Sequence, residues 1–336
     1  MSRLPRSRRL ASLEVSPLGI GCVGMSSIYG AADESESAAA IRCGLDAGIT
    51  VLDTADSYGP PAQPEGHNES LVGRAIAGRR ADVTIVTKVG ISLDSDFLPR
   101  VDARPDVIRR NCDESLQRLG IDAVDLYLLH RVDPQVPVEE SVGAMAELVE
   151  AGKVKQIGLC EVTGQVLRQA ARVHPIAAIE SEWSLWSRDI ESTVLNDARE
   201  LGVGILAYAP LGRGFLAGAI KSRRDLADRD LRSTLPRFQE EQIQRNLLCL
   251  TDMEKMAATL DCTLAQLALA WLLAQGDDVV PIPGMERVQF VRENLGALEV
   301  TLTTQDLERL DALFPVDGDY GERYNEGHAR FSANSE

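Results

Sequence analysis

The sequence predicts an α/β protein built as a closed (β/α)8 TIM-type barrel. A β-hairpin at the N-terminus and a C-terminal tail over the active-site region complete it, with residues 1–336 as one domain. Three observations carry this expectation. Eight short apolar runs alternate with eight longer segments of helical period, and consecutive βα units of this kind suit a closed barrel. Gly stands at helix exits (Gly48, Gly120, Gly152, Gly202), where a left-handed cap is needed. No Pro- or Ser-rich linker divides the 336 residues.

The elements follow in order. LASLEVSPLG at 10–19 alternates like a hairpin able to plug the barrel bottom. LGIGCVGM (18–25), ITVLD (49–53), VTIVTK (83–88) and VDLYLLH (124–130) are the first four strand candidates. VKQIGLC (154–160), AAIESEW (177–183), VGILAYAPLG (203–212) and DVVPIPG (278–284) are the other four. Short apolar runs bounded by Gly, Asp or Pro suit parallel strands buried on both faces. Between them lie the helical segments 36–48, 68–78, 104–120, 139–152, 164–173, 191–202, 244–260 and 287–298. In the third, Val107, Ile108, Cys112, Leu116 and Leu119 trace one helical face. GIGCVG has the G-x-G-x-x-G spacing of a dinucleotide-binding turn, but MSSIYGAADES does not open a helix at once. It reads better as a Gly-rich first barrel strand. The polar, Arg-rich stretch 213–245 is a long excursion between the seventh strand and its helix, and 320–336 is a tail without helical period.

Composition narrows the function. Fifty-one acidic against 35 basic residues leave a formal charge of −16, which repels phosphate backbones, so no nucleic-acid partner is expected. No run approaches the ~18 apolar residues of a membrane span, and the basic N-terminus lacks the apolar core of a signal peptide. A soluble, cytoplasmic protein without membrane partners is expected. The six cysteines (Cys22, Cys43, Cys112, Cys160, Cys249, Cys262) form no CxxC pair, and the four histidines show no ligand spacing. Reduced, mostly buried thiols and no metal are expected.

In barrel enzymes the working residues stand at the C-terminal ends of the strands. Here the second strand ends in Asp53, with Tyr58 five residues on; the third ends in Lys88 and the fourth in His130. The fifth and sixth end near Glu161 and Glu180 to Glu182, the seventh at Tyr208. Singly, Asp53 could cap a helix, Tyr58 could be packing and His130 a satisfied core histidine. Lys88 is harder to dismiss: it is one of five lysines against thirty arginines and ends a β-branched run. A buried lysine needs a carboxylate, and Asp53 on the adjacent strand supplies one. The ammonium should in turn lower the Tyr58 pKa from its reference near ~10 towards neutrality. Such a phenol can protonate the alkoxide that forms when hydride reaches a carbonyl carbon. Neutral His130 can orient the carbonyl oxygen. This chemistry points to carbonyl reduction with a nicotinamide as hydride source.

The motifs LDTADSYG, TIVTK, VDLYLLHRVD, AYAPLGRGFLAG and VPIPG…ENLGAL, in this order, resemble the aldo-keto reductases, from about residue 8 to residue 300. GLCEV, PLGRGFL and TLPRF are closest to a bacterial and plant branch. The resemblance implies a catalytic tetrad of Asp53, Tyr58, Lys88 and His130, with Tyr58 as proton donor. It also implies NADPH, with NADH possible, bound extended across the barrel mouth without a Rossmann domain. Gly21, Cys22, Cys160, Glu161 and Glu180 would lie on the nicotinamide side, with Tyr208 and Ala209 beside the ring. Leu211, Gly212, Arg213 and Gly214 would follow the pyrophosphate; Gly284, Met285, Arg287, Glu293 and Asn294 would hold the adenosine end.

Two stretches depart from the family pattern. Where relatives carry Ser, Asn or Glu, and Gln for the carboxamide, this chain has Cys160, Glu161 and Glu180. Two such acids should favour the cationic oxidised ring. At the 2′-phosphate end Arg287 is the best partner, while Glu286 repels. Met25, Tyr29 and Trp183 are the substrate-wall candidates, joined by Trp186, Arg232, Arg237, Phe238, Tyr320 and Tyr324. Pro60, Pro61 and Pro64 should stiffen the loop after Tyr58. A small carbonyl compound is the expected partner, and the oligomeric state is left open. The alternatives are a nicotinamide-binding regulatory subunit resembling the potassium-channel β subunits, or a pathway-specific keto-sugar reductase whose loop arginines contact phosphate.

Overall fold

The computed structural model describes residues 7–60, 66–93 and 99–325; Pro61, Pro64 and the tail beyond 325 lie outside them. Eight parallel strands run in chain order around a barrel: β3 (Gly19–Gly21), β4 (Val51–Asp53), β5 (Thr84–Val89), β8 (Val124–Leu129), β9 (Val154–Cys160), β10 (Ala178–Glu182), β11 (Gly204–Tyr208) and β12 (Val279–Ile282). The seam between β12 and β3 closes through a bridge between Gly21 and Gly284, and the Gly21 N–H donates to the Pro283 carbonyl at 2.9 Å. Only glycine fits there, because a Cβ on Gly21 would stand 2.6 Å from the Ile282 carbonyl oxygen. Gly21, expected on the cofactor, therefore serves the fold directly by letting the barrel close.

The expected hairpin is present as β1 (Arg8–Leu10) and β2 (Leu13–Val15). Leu10 and Val15 join the apolar lumen of Val51, Val86, Leu126, Leu206 and Val280, and Leu10 presses on Gly204 at the start of β11. The Arg8 guanidinium donates to the carbonyls of Leu273, Gly276 and Val279, locking the plug under the barrel.

Helices α1 (Glu34–Ala47), α2 (His67–Ala75), α3 (Pro105–Leu119), α4 (Val138–Glu150) and α5 (Gly164–Val173) follow the expected segments. Gly48 and Gly120 cap α1 and α3 at φ of 99° and 66°, each returning its N–H to the last turn. The sixth helical segment is broken at Val194 into α6 (Ile190–Thr193) and α7 (Leu195–Glu200). Past Tyr208 the layout differs from the one expected. The segment expected as the seventh barrel helix is α8 (Glu240–Thr259), which packs outside the barrel against α9 (Leu264–Leu273) and α11 (Thr304–Leu313). The helix that covers β12 and touches α10 (Val288–Leu295) is α9. Periodicity does not reveal it, because Leu267 through Leu272 are all buried, leaving no polar face and no amphipathic period. A second hairpin, β6 (Ile91–Leu93) with β7 (Pro99–Val101), is also unforeseen. The Arg-rich excursion winds through short 3-10 turns at Arg223–Asp225, Leu231–Thr234 and Pro236–Phe238 before α8. Among the described residues no single helix is long and apolar enough to cross a membrane. All six cysteines are free thiols, three buried and three half-buried.

Candidate active site

Strand pleating builds the site. Alternate side chains of each strand face the lumen, and the lumen-facing set includes Val51, Val86, Leu126, Leu128, Ala178, Leu206 and Val280. Stepping two residues along the same faces reaches Asp53 on β4, Lys88 on β5, His130 after β8, Glu180 on β10 and Tyr208 on β11. The apolar lumen thus ends in a layer of polar groups at the C-terminal mouth. The intervening Ile85, Thr87 and Val89 point outward; Thr87 donates to Glu69 of α2 at 2.6 Å. Tyr58 comes from the loop after β4, held by its N–H on the Ala55 carbonyl and by its carbonyl on the Asn68 N–H.

The ammonium of Lys88, with no exposed surface, donates to Asp53 Oδ1 at 2.6 Å, to the Thr54 carbonyl at 2.9 Å and to the Tyr58 hydroxyl at 3.1 Å. It also stands 3.4 Å from Glu180 Oε1. The His130 ring meets the Tyr58 ring edge-on, centroids 5.8 Å apart, and its Nδ1 is 3.5 Å from the Ser57 hydroxyl. All four expected catalytic residues therefore converge. Among the described residues no cluster of His, Cys, Asp or Glu could hold a metal ion.

The electrostatics revise one expectation. Burial lifts the Tyr58 phenol above its ordinary range and outweighs the pull of Lys88, because Asp53 and Glu180 push the same way as burial. The ammonium alone does not make an acidic phenol here; its charge is already answered by carboxyls. Burial pulls Lys88 down, but Asp53 and Glu180 hold it well above its usual value, so it stays charged. Burial, then Arg131 and Lys88, drives His130 well below the normal imidazole value, so it is neutral as expected.

Around this centre lies a second ring of charges. Glu161, at φ 49°, accepts the Glu182 N–H at 2.8 Å and pairs with Arg323 at 3.0 Å. Glu182 accepts the Ser187 hydroxyl and pairs with Arg213 at 3.1 Å and Arg323 at 3.7 Å. Tyr324 hydrogen-bonds Tyr208 through the two hydroxyls at 2.7 Å, so the described part of the tail crosses the mouth as expected. Sequence reasoning misses Arg323 and Arg131; the arginine at 323 reaches Glu161 only because the tail folds back, and no local pattern announces that. Burial raises the Glu182 carboxyl, but Arg213, Arg323 and Arg237 more than reverse this and bring it to about 2. Its unfolded reference is ~4.3, so its contribution to stability is present above that value and lost as pH falls towards 2. Glu182→Gln should flatten the acid limb of stability between about pH 4 and 2, measured by urea unfolding across that range.

The remaining expectations divide. Tyr29 stands at the rim, its hydroxyl accepting from Arg213 at 3.2 Å and its ring under Arg232. Trp183 does not line the mouth: it is fully buried, edge-on to Trp271, with its indole N–H on Glu191 at 3.0 Å. Met25 is likewise core, packed with residues of the α1–α2 side. Both are drawn inward because large apolar side chains are stabilised most by complete burial. Met285 and Cys22 belong to that same core, leaving only their backbones to a ligand. Cys160 is buried in the lumen. Trp186 and Phe238 pack on each other edge-on, and Tyr320 donates to the Pro315 carbonyl. Two of the loop arginines are engaged internally: Arg232 on Asp230, and Arg237 on the carbonyls of Trp186 and Gly321. Arg223, Arg224 and Arg229 of the same stretch stay exposed. The two acids expected to attract the oxidised ring are also not free anions, since Glu161 is paired with Arg323 and Glu180 is driven towards its neutral form.

Whether a dinucleotide fits can be read from the orphaned polar atoms. Glu180 Oε2, on the side expected to meet the nicotinamide, and Asn294 Nδ2, on the side expected to meet the adenosine, are both buried without a hydrogen-bond partner. An acceptor for a carboxamide and a donor for a purine nitrogen are what the two ends require. Between them Gly212, Arg213 and Gly214 run at φ of 55°, 54° and 97°, and Ala209 at 48°. Leu211 packs on the core below, so this turn presents backbone and the Arg213 guanidinium to the rim. A Cβ on Gly284 would meet only Glu286 Oε2, at 3.5 Å, so the floor beside it is bare. Arg287 is half exposed, 4.0 Å from Glu36, and Glu293 is tied through its carbonyl to Gln266. The residues present fit the group.

Comparison with known proteins agrees with this geometry. The model of the Aldo/keto reductase family matches residues 17–314. The glycerol dehydrogenase of Gluconobacter oxydans superposes with a TM-score of 0.82 at 26% identity, covering 93% of this chain and 97% of that one. An aldo/keto reductase from Klebsiella pneumoniae in complex with NADP and acetate gives 0.72 at 29% identity, covering 94% and 97%. The holo form of an aldo-keto reductase from Bacillus halodurans gives 0.73 at 28% identity, covering 96% and 99%.

Proposed function

The chain belongs to the aldo/keto reductase family, and from that premise we propose that it is an NADPH-dependent oxidoreductase reducing an aldehyde or ketone to an alcohol. The observation that carries the reading is the Lys88 ammonium, 2.6 Å from Asp53 and 3.1 Å from the Tyr58 hydroxyl, at the open end of an otherwise apolar lumen. A nicotinamide bound at the mouth supplies the hydride. Everything else falls to side chains of this chain. His130, neutral, donates a hydrogen bond to the substrate carbonyl and fixes its direction. Tyr58 transfers its proton to the carbonyl oxygen as negative charge develops there. Lys88 then donates towards the phenolate oxygen, and Asp53 keeps the amine aimed at it. The phenol needs this help at the moment of transfer, since burial disfavours its ionised form.

Glu180 would accept from the carboxamide, Tyr208 would stack on the ring and Arg213 would exchange Glu182 for the pyrophosphate. Asn294 would donate to the adenine. Arg287 would meet the 2′-phosphate, against the repulsion of Glu286. Klebsiella pneumoniae aldo-keto reductases in complex with NADP and with NADPH support that choice.

Fluorescence titration of the protein with NADPH and with NADH should give tighter binding of NADPH. Arg287→Ala should bring the two affinities together. Absorbance assays against aldehydes, ketones and keto-sugars should then show NADPH oxidation. A protein that binds NADPH yet reduces nothing in the panel, and holds a protein partner instead, would sink the reading.

A further inference from the structure

Lys88 has two carboxyls where the relay uses one. Glu180 faces the same lumen layer as Asp53, and both have almost no exposed surface. Glu180 Oε1 lies 3.4 Å from the ammonium that Asp53 Oδ1 meets at 2.6 Å, so the two carboxyls converge on one cation. Two buried carboxyls brought to one cation repel each other unless one of them carries a proton. Charge balance agrees: one ammonium with two carboxylates would leave a net negative charge in a buried, weakly polar site, whereas one ammonium, one carboxylate and one acid are neutral.

The neighbours decide which carboxyl keeps the proton. Across the sheet Glu180 registers with Cys160 on β9 and Leu206 on β11, neither of which donates to it, and its Oε2 has no partner. Asp53 has the short bond to Lys88. The other titratable groups facing the cluster are Cys22 above Asp53, the Tyr58 phenol, Cys160, and His130 with Arg131 after β8. None supplies Glu180 with a second cation at bonding distance among the described residues.

We propose that Glu180 is a positioning residue of the proton relay, standing as a carboxylic acid that shares its proton with Asp53 and serves as the store from which Lys88 is recharged. The proposal rests on the reading of Tyr58 and Lys88 given above. The proton count closes. Tyr58 loses its O–H proton to the substrate oxygen, Lys88 gives one N–H proton to the phenolate, and Glu180 gives its O–H proton to the amine. Tyr58 and Lys88 are then back in their starting forms with Glu180 as carboxylate, and a proton taken up from water at the mouth returns Glu180 to the acid. In that interval the carboxylate offsets the positive charge of an oxidised pyridine ring, so the site is never left with an unanswered charge.

The decisive experiment needs neither substrate nor cofactor. Infrared spectra of the cofactor-free protein at neutral pH should contain a buried carboxylic-acid C=O band. The isosteric Glu180→Gln should lack it. In Asp53→Asn the band should vanish too, because Glu180 is then the sole counter-ion of Lys88 and ionises; this variant serves if Glu180→Gln does not fold. A spectrum without the band, or one in which it survives in Glu180→Gln, overturns the proposal even if the protein proves to be a reductase. A pH-indicator assay adds a second arm: NADP+ should release a proton from wild type and none from Glu180→Gln, while NADPH releases none from either. Equal release by both proteins with NADP+ would also overturn it.

Discussion

Tyr58→Phe should lower the turnover of carbonyl reduction by about 10²–10⁴-fold while leaving NADPH affinity nearly unchanged. The hydroxyl is the group that touches both Lys88 Nζ, at 3.1 Å, and the mouth of the lumen. Its removal deletes the proton donor without altering shape. Each tenfold loss corresponds to about 1.4 kcal/mol of transition-state stabilisation, so the effect should appear in kcat rather than in the binding isotherm. Stability should hardly move, because Lys88 keeps Asp53 and the Thr54 carbonyl. Steady-state assays with a fluorescence titration of the same sample check both halves. A variant that still turns over within a few-fold of wild type would remove Tyr58 from the role.

Lys88→Met should abolish most turnover as well and, unlike the tyrosine variant, should destabilise the fold. It leaves Asp53 and Glu180 buried together without the ammonium that answers their charge. Breaking a buried pair typically costs about 3–5 kcal/mol, and protonation of the second carboxyl relieves part of it. Burial and mutual repulsion raise the folded-state pKa of both acids, so the variant loses stability as pH rises above the unfolded carboxylate values near ~4. The gap in melting temperature between wild type and Lys88→Met should therefore widen from pH 5 to pH 8. A gap that stays constant with pH would mean that Lys88 is not the counter-charge of the pair.

Much of the site is legible in the order of residues along the chain. Asp53, Lys88, His130, Glu180 and Tyr208 each follow an apolar run whose period of two points alternate residues to one side, and the polar residue ending that run has nowhere to go but the mouth. The misses share a cause, which is that local pattern carries no information about distant neighbours. Helix α9 has no polar face, so periodicity is silent there. Nearness to the end of a strand suggests Trp183 for the mouth, yet it lies on the outward side of the barrel against Trp271. A pairwise view of phenol and ammonium misjudges the shift of Tyr58, because it omits Glu180, which is far along the chain and close to the ammonium in space.

From the chain alone came the barrel, its plug and the identity of the four groups at its mouth, since these follow from local periodicity and from strands stacking in chain order. Folding in three dimensions decided the rest: the tail that brings Arg323 to Glu161 and Tyr324 to Tyr208, Arg213, Arg232 and Arg237 of the excursion turned inward, and the second carboxyl on Lys88. Charges widely separated in the chain acquire their interactions only when packing removes the water between them. Protonation states at such a centre belong to the assembled cluster and to none of its members singly.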